Sequence, residues 1–349
     1  MSFEKPLGAS GAEIAGYRFV TVWQVRAPIE RVFDTIHDAT EWPLWWRGVE
    51  SITSLRPADS SGLGGVTRYV WKSALPYRLV IDTSATRVDR PYAMDGRSSG
   101  ELVGEGRWRL SEEDGVTTVR YEWDVATTKA WMNLLGPLLR KAFGWNHDVV
   151  MRWGGEGLRA RLEGANTQAA RLAYLEAAGW RANYDRDWLK LLWLVLDLNR
   201  DEFGLRWPRA LQAAYYITRA SVAWVPVDHN LPVVQRYIER YYRVARRWGK
   251  NARFHPERAA EFELRYWLEH RRLSGQPQSA KGPLEDALSD LHAELFQADD
   301  VRARRSGVLR ARAADAVDDI TGRRVADVET AWATVERLLR EAYKVVFSQ

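Results

Sequence analysis

Large apolar and charged side chains alternate along much of the first half of the chain. In residues 66–73, for example, Tyr69 and Trp71 alternate with Arg68 and Lys72. Because successive side chains of a strand point to opposite faces, this alternation indicates antiparallel strands with one face in water. Together with flanking turn residues, it predicts strands over 17–25, 49–56, 65–73, 77–87, 92–102, 105–111 and 116–125.

Two short helices are predicted between the first strand and the second. Pro28, followed by Val32, Phe33 and Ile36, has the spacing of a short amphipathic helix that begins at a proline. A second short helix is predicted over 41–46, which contains three tryptophans. These helices separate the first strand from the six that follow.

After the last strand, helical spacing predicts a long helix over 129–163. We expect Gly136-Pro137 to kink or restart this helix and Gly154-Gly155 to weaken it. The apolar face that the spacing marks comprises Trp131, Leu134, Leu135, Leu138, Ala142, Trp145, Val149 and Leu158. A curled antiparallel sheet wrapped around this helix satisfies the order of elements, so we predict an α+β helix-grip fold.

Four segments of this half carry a family resemblance. They are residues 25–34, the Trp-Pro-Leu-Trp-Trp stretch at 42–46, the Gly104-x-Gly106-x-Trp108 motif and the end of the long helix at 157–162. With the order of elements, they resemble the START/Bet v 1-like (SRPBCC) superfamily and its polyketide cyclase/dehydrase-type members over about residues 15–165. The resemblance implies binding of lipids, sterols, polyketides or hormones, or cyclase or aromatase activity, and fold alone does not choose among these.

The second half has a helical pattern throughout. Helices are predicted over 168–182, 186–202, 207–224, 231–249, 256–273, 283–297, 299–317 and 326–347. This half resembles no family that we can name. We therefore predict two domains, a helix-grip ligand-binding domain over 1–165 and an all-α domain of unknown role over 166–349.

Composition adds few constraints. Trp occurs 18 times in 349 residues, which suits cores and ring-lined pockets, and the absence of Cys excludes disulfides and thiolate sites. The N-terminal segment has no apolar stretch, and the most apolar run, 189–198, is too short to span a bilayer. We expect a soluble, cytoplasmic protein.

The net charge of +5 is modest, so we do not expect a nucleic-acid partner. The oligomeric state stays open.

The rings on the inner face of the sheet are the best candidate site. A curled sheet with large rings inside must either fill its interior or enclose a pocket, and pockets for small ligands are mostly apolar. We predict a cavity for a small hydrophobic ligand; the alternative is that the rings only pack the interior. The residues predicted to bind the ligand are Trp45, Trp46, Tyr69, Trp71, Tyr77, Trp108, Tyr121 and Trp123.

The sequence assigns no catalytic residue. No His lies in a predicted strand. His147, on the long helix, is the one histidine that could face inward, but we expect it on the helix surface. In the helical half, Glu263 and His270 share a predicted helix face; with Asp228-His229 and Arg219 they could bind a metal or act as acid and base. Helix capping and salt bridges are the preferred explanation of these residues, and the HExxH, phosphate-loop and Gly-x-Ser-x-Gly motifs are absent. We predict neither a metal nor a cofactor.

Three functions remain open at this point. The first is binding of a hydrophobic or aromatic small molecule, lipid-like or polyketide-like, in the N-terminal cavity. The second is a polyketide cyclase- or aromatase-like enzyme that uses the same cavity, with Tyr or Arg holding an enolate oxygen. The third is a protein-interaction module carried by the helical half. The sequence identifies neither the ligand nor a reaction.

Overall fold

The computed structural model of the chain describes residues 16–59, 62–75, 77–128, 136–164, 167–226, 228, 230–250 and 252–347. Tertiary contacts divide the chain into two compact units. Met1–Ala165 is called the N-terminal unit, and Asn166–Gln349 is called the helical unit.

One antiparallel sheet dominates the described part of the N-terminal unit. Its strands are β1 (Gly16–Val25), β2 (Val49–Arg56), β3 (Val66–Lys72), β4 (Arg78–Asp89), β5 (Ala93–Gly100), β6 (Leu102–Glu113) and β7 (Val116–Thr127). Their order across the sheet is β1-β7-β6-β5-β4-β3-β2, so each strand after β2 lies beside its neighbour in sequence. The predicted strands and the antiparallel arrangement are confirmed.

The turn between β6 and β7 follows from its sequence. Asp114 and Gly115 have φ angles of 51° and 71°, the positive values that an Asp-Gly hairpin turn requires. This turn sets the register in which Trp108 lies opposite Tyr121, so two large rings meet on one face of the sheet.

Three helices belong to the N-terminal unit as described. α1 (Ile29–His37) and α2 (Trp42–Trp45) lie between β1 and β2, as predicted, and α3 (Gly136–Glu163) follows β7. Residues 129–135 of the predicted long helix lie outside the described residues. The predicted apolar face of this helix is wrong at Trp145, which is 49% exposed, whereas Val149 and Leu158 are buried.

Gly154 and Gly155 do not interrupt α3. A Cβ on Gly155 would lie 2.9 Å from the Trp23 ring, and a Cβ on Gly154 would overlap the ring of Trp46. Both tryptophans are buried core residues of this unit. The two glycines therefore let the helix backbone pack directly against the core rings. This close packing accounts for glycine at both positions in spite of its low helix propensity.

Helices make up the regular structure described in the helical unit, apart from a short 3₁₀ turn at Gln278–Ala280. They are α4 (Thr167–Tyr184), α5 (Trp188–Phe203), α6 (Trp207–Trp224), α7 (Leu231–Trp248), α8 (Pro256–Leu273), α9 (Gly282–Phe296), α10 (Asp300–Thr321) and α11 (Val328–Phe347). Side chains of Asp187, Asn230 and Asp299 cap three of these helices by accepting a backbone N–H. Within the residues described, no helix has the length and apolarity needed to cross a membrane.

Candidate functional site

A cavity of about 570 Å³ lies in the N-terminal unit between the sheet and α3. All seven strands contribute side chains to its wall, and α3 contributes Phe143, Asn146, His147, Val150 and Met151. The volume falls within the range of roughly 300–1,000 Å³ typical of small-ligand pockets. The interior of the curled sheet is therefore not filled by its own rings.

Seven of the eight residues predicted to bind ligand line this cavity. They are Trp46, Tyr69, Trp71, Tyr77, Trp108, Tyr121 and Trp123. Trp45 is not part of the wall; it is 9% exposed and belongs to the hydrophobic core. The reason is local: α2 places Trp45 and Trp46 next to each other, and only the second of the two rings reaches the cavity.

The rings form layers along neighbouring strands. Trp108 and Tyr121 stack with centroids 4.1 Å apart and planes at 24°, and Tyr121 lies 6.5 Å from Trp123. Gly106 makes room for this arrangement, because a Cβ there would lie 2.7 Å from the Tyr121 hydroxyl oxygen. Gly106 of the Gly104-x-Gly106-x-Trp108 motif thus lets the phenol ring of Tyr121 lie against β6.

Two phenols in the wall have no hydrogen bond to any described residue. Burial raises the pKa of the Tyr69 hydroxyl to about 12 and raises the pKa of the Tyr121 hydroxyl further. A negative charge on Tyr69 would raise the pKa of Tyr121 as well, which is the smaller cause. Both groups are therefore neutral hydroxyls at any physiological pH, able to donate or accept a hydrogen bond.

His147 occupies a place that its sequence context did not indicate. It is 8% exposed and lines the cavity, so the prediction of a surface position is wrong. Its imidazole stacks on Phe19 with centroids 4.1 Å apart and planes at 12°, and Trp123 lies 5.8 Å away. Neither ring nitrogen has a hydrogen-bond partner among the described residues; Asp148 Oδ1 lies 3.8 Å from Nδ1.

A signal for His147 was present in the sequence. Phe143, His147, Val150, Met151 and Gly154 are spaced at i, i+4, i+7, i+8 and i+11, which is one face of a helix. These residues face the sheet interior, whereas the predicted face was built around the large ring of Trp145. The prediction placed Trp145 on the buried face because of its large ring. The predicted buried face of α3 is therefore rotated away from the face that lines the cavity.

Asn146, next to His147, has its hydrogen-bonding capacity used by the protein. Its Oδ1 accepts from the Ser73 hydroxyl at 2.7 Å and from the Ala74 N–H at 2.8 Å. Its Nδ2 donates to the Tyr77 hydroxyl at 3.4 Å. These bonds hold the loop after β3 against α3, so Asn146 has a structural role that His147 does not share.

The polar residues singled out in the helical half do not form one site. Glu263 accepts hydrogen bonds from Tyr242 at 3.0 Å and from Trp267 at 2.8 Å, whereas His270 Nε2 lies 3.5 Å from Asp318 Oδ1. Arg219 and Asp228 are exposed, and His229 lies outside the described residues. In the described ranges no group of three or more His, Asp or Glu residues is placed to hold a metal ion.

A buried ionic network lies inside the helical unit instead. Arg310 donates two hydrogen bonds to Glu176, one of them at 2.8 Å, and the Tyr343 hydroxyl donates to the same carboxylate at 2.8 Å. Burial, and next the charge of Glu176, raise the pKa of Glu202 to about 8. No sequence pattern indicated the central pair, Glu176 and Arg310, whose members are 134 positions apart.

Two helices of the helical unit expose large apolar side chains. Four of them follow one face of α5 and three lie at i, i+4 and i+8 of α6; the rings of Trp193 and Trp207 meet at 5.4 Å. The exposed residues are Trp188, Leu189, Leu192, Trp193, Trp207, Leu211 and Tyr215. The interaction hypothesis for the helical half rests on this feature and stays a hypothesis.

Residues 25–149 match the model of the family described as polyketide cyclase / dehydrase and lipid transport. The match confirms the resemblance predicted for the N-terminal half. It supports a role in binding or cyclising a hydrophobic small molecule without deciding between the two. No curated protein matches the chain.

Solved structures with likeness to the chain include the di-domain ARO/CYC BexL of the BE-7585A biosynthetic pathway, with 20% identity and a TM-score of 0.34. That likeness covers 42% of this chain and 50% of BexL. The Zhui aromatase/cyclase from a Streptomyces species is 15% identical over 43% of this chain and 94% of its own, with a TM-score of 0.37. A START superfamily protein from Mycobacterium smegmatis is 14% identical over 42% of this chain and 97% of its own, with a TM-score of 0.35.

Proposed function

We propose that the N-terminal unit binds a hydrophobic, aromatic small molecule inside the cavity between the sheet and α3. One observation carries the proposal: a cavity of about 570 Å³ walled by aromatic rings, in the region that matches the family. Its proposed contacts are His147 and the seven predicted residues that line it, Trp46, Tyr69, Trp71, Tyr77, Trp108, Tyr121 and Trp123. Trp45 is left out because its ring is not in the wall.

The apolar wall supplies the binding free energy in this proposal. Removing apolar surface from water is worth about 25 cal/mol per Å², so a ligand that buries about 300 Å² would gain about 7 kcal/mol before the costs of association. Rings that already stack on one another, as Trp108 and Tyr121 do, lose little freedom when a ligand arrives. A preformed ring-lined wall therefore favours planar ligands.

Binding is favoured over catalysis by the state of the polar groups. A general base is ordinarily held by a partner that fixes its orientation and protonation, and His147 has no such hydrogen bond among the described residues. The Tyr69 and Tyr121 hydroxyls stay neutral because burial raises the pKa of each. These groups suit recognition of a ligand better than removal of its protons.

The proposal is tested by filling the cavity. Thr83 lines it from β4, and we expect Thr83→Trp to weaken binding of the uncharged fluorescent probe pyrene at least tenfold relative to the wild type. Thr53→Trp, on the exposed face of β2, is the matched control and should bind the probe as the wild type does. Equal binding by all three proteins, with circular dichroism unchanged, would mean that the probe does not enter the cavity.

A further inference from the structure

Three polar groups in the cavity wall stand apart from the rest of the site. The Tyr69 and Tyr121 hydroxyls and the His147 imidazole all line the cavity. Both His147 ring nitrogens are buried without a hydrogen-bond partner among the described residues, and the two half-buried tyrosines form no hydrogen bond to a described residue. The neighbouring Asn146 is fully engaged by Ser73, Ala74 and Tyr77. Asn146 is therefore occupied by hydrogen bonds within the protein, whereas Tyr69, Tyr121 and His147 are available to a ligand.

Leaving the His147 nitrogens without partners has a cost, because both atoms are buried, whereas the half-buried Tyr69 and Tyr121 hydroxyls border the cavity space and carry less of this cost. A neutral imidazole has one N–H donor and one nitrogen acceptor, and a phenol has one donor and two lone pairs. A buried donor or acceptor that forms no hydrogen bond costs about 1–3 kcal/mol. A ligand that offers oxygen atoms at these positions recovers that cost, whereas a plain hydrocarbon does not.

The charged residues around the cavity also favour an uncharged ligand. The charged residues that border the cavity are exposed or already paired: Asp38, Arg56 and Lys72 are exposed, and Asp95 accepts from Arg109. No buried Lys or Arg among the described lining residues stands ready to neutralise a carboxylate. An anionic group would therefore enter the interior without compensation.

We propose that Tyr69, Tyr121 and His147 determine ligand specificity by hydrogen bonding to hydroxyl or carbonyl oxygens of an uncharged aromatic ligand. This inference rests on the proposed function, because it assumes that the cavity takes an aromatic molecule. It adds which atoms of the wall select the ligand, and it places the ligand in the class of neutral, oxygen-bearing aromatics rather than hydrocarbons or carboxylates.

The test uses three probes with one ring system: pyrene, 1-hydroxypyrene and 1-pyrenecarboxylate. Fluorescence titration of the full chain at neutral pH should give a Kd for 1-hydroxypyrene about fivefold below that for pyrene, the effect of one neutral hydrogen bond. We expect 1-pyrenecarboxylate to bind about tenfold or more weakly than 1-hydroxypyrene, because its charge loses hydration without gaining a cation.

Variants assign the preference to residues. Tyr69→Phe, Tyr121→Phe and His147→Phe should each keep the affinity for pyrene and reduce the preference for 1-hydroxypyrene, and the triple variant should abolish it. Tyr92→Phe, at an exposed position outside the cavity wall, is the matched control and should keep the full preference. Retention of the full preference in the triple variant would overturn the inference.

A measurement on the wild type covers the case in which a variant does not fold. In ¹⁵N spectra of the histidine rings, 1-hydroxypyrene should shift the His147 nitrogens by several ppm more than pyrene does, because only the former can form a hydrogen bond. Equal shifts, or equal Kd values for the three probes, would overturn the inference and leave the proposed function standing. If none of the probes binds the wild type, the proposed function fails, and the inference fails with it.

Discussion

Two pairs of tyrosines, one pair in each unit of the chain, have different surroundings. In the helical unit, Tyr343 donates to Glu176, and Tyr242 donates to Glu263. In the N-terminal unit, the hydroxyls of Tyr69 and Tyr121 line a cavity and bond to no described residue. Because a buried polar group without a partner is costly, the first pattern is typical of a finished interior and the second of an interior that a ligand completes.

The two units also differ in whether these polar groups contribute to stability or to ligand binding. Glu176 in the helical unit is held by Arg310 and Tyr343, so removal of either donor leaves the buried carboxylate with fewer hydrogen bonds, and removal of Glu176 takes away the acceptor that both donors share. The unpaired phenols of the N-terminal unit have no protein partner to lose. The same type of substitution should therefore lower the free energy of unfolding in the helical unit and change ligand binding in the N-terminal unit.

The largest effect is expected from Arg310→Met in the helical unit. Loss of the guanidinium leaves Glu176 as a buried carboxylate with only Tyr343 as a donor, and breaking such a pair costs about 3–5 kcal/mol. Urea unfolding followed by circular dichroism measures this change. Arg304→Met, which removes an exposed pair with Glu285, is the control and should cost less than about 1 kcal/mol. Equal losses in the two variants would show that the buried network is not a source of stability.

The next effect comes from the same substitution made once in each unit. Tyr343→Phe removes a hydrogen bond to a buried carboxylate and should lower the free energy of unfolding by about 2 kcal/mol. Tyr121→Phe removes a hydroxyl that has no described partner and should change it by less than about 0.5 kcal/mol. The same unfolding experiment compares the two. A loss at Tyr121 as large as that at Tyr343 would contradict the distinction between the units.

The last effect depends on pH and concerns Glu202. With its pKa raised to about 8 in the folded chain, Glu202 holds a proton that the unfolded chain releases near pH 4.5. Its contribution to stability is therefore complete below about pH 4.5 and disappears as the pH rises through about 8. Glu202→Gln, which stays neutral, should gain about 4 kcal/mol of stability relative to the wild type between pH 5 and pH 8.5. A difference that does not depend on pH would contradict the raised pKa.

The sequence predicted most of the sheet and most of the cavity wall for a simple reason. Alternation is a local pattern, and one face of a strand follows directly from the positions of Tyr69 and Trp71 or of Trp108. The register that stacks Trp108 on Tyr121 needed only the Asp114-Gly115 turn between adjacent strands. Local patterns of this kind predict the sheet well because neighbouring strands, apart from β1 and β7, are also neighbours in sequence.

Other features depended on contacts between distant positions. His147 lies in the wall because α3 turns the face of Phe143 and Met151 toward the sheet, and the large ring of Trp145 hid that face in the sequence. Gly154 was expected only to weaken the helix, but it lies against Trp46, about a hundred residues earlier in the chain. Neither contact could be inferred from spacing within one element.

Native mass spectrometry of the full chain, purified from its own host, tests the central claim most directly. If the cavity of the N-terminal unit holds an aromatic small molecule, the spectrum should contain a second species heavier by a few hundred daltons. Collisional activation should release that species as an uncharged molecule. A spectrum with only the mass of the bare chain, from a protein that also fails to bind pyrene and 1-hydroxypyrene, would contradict the account.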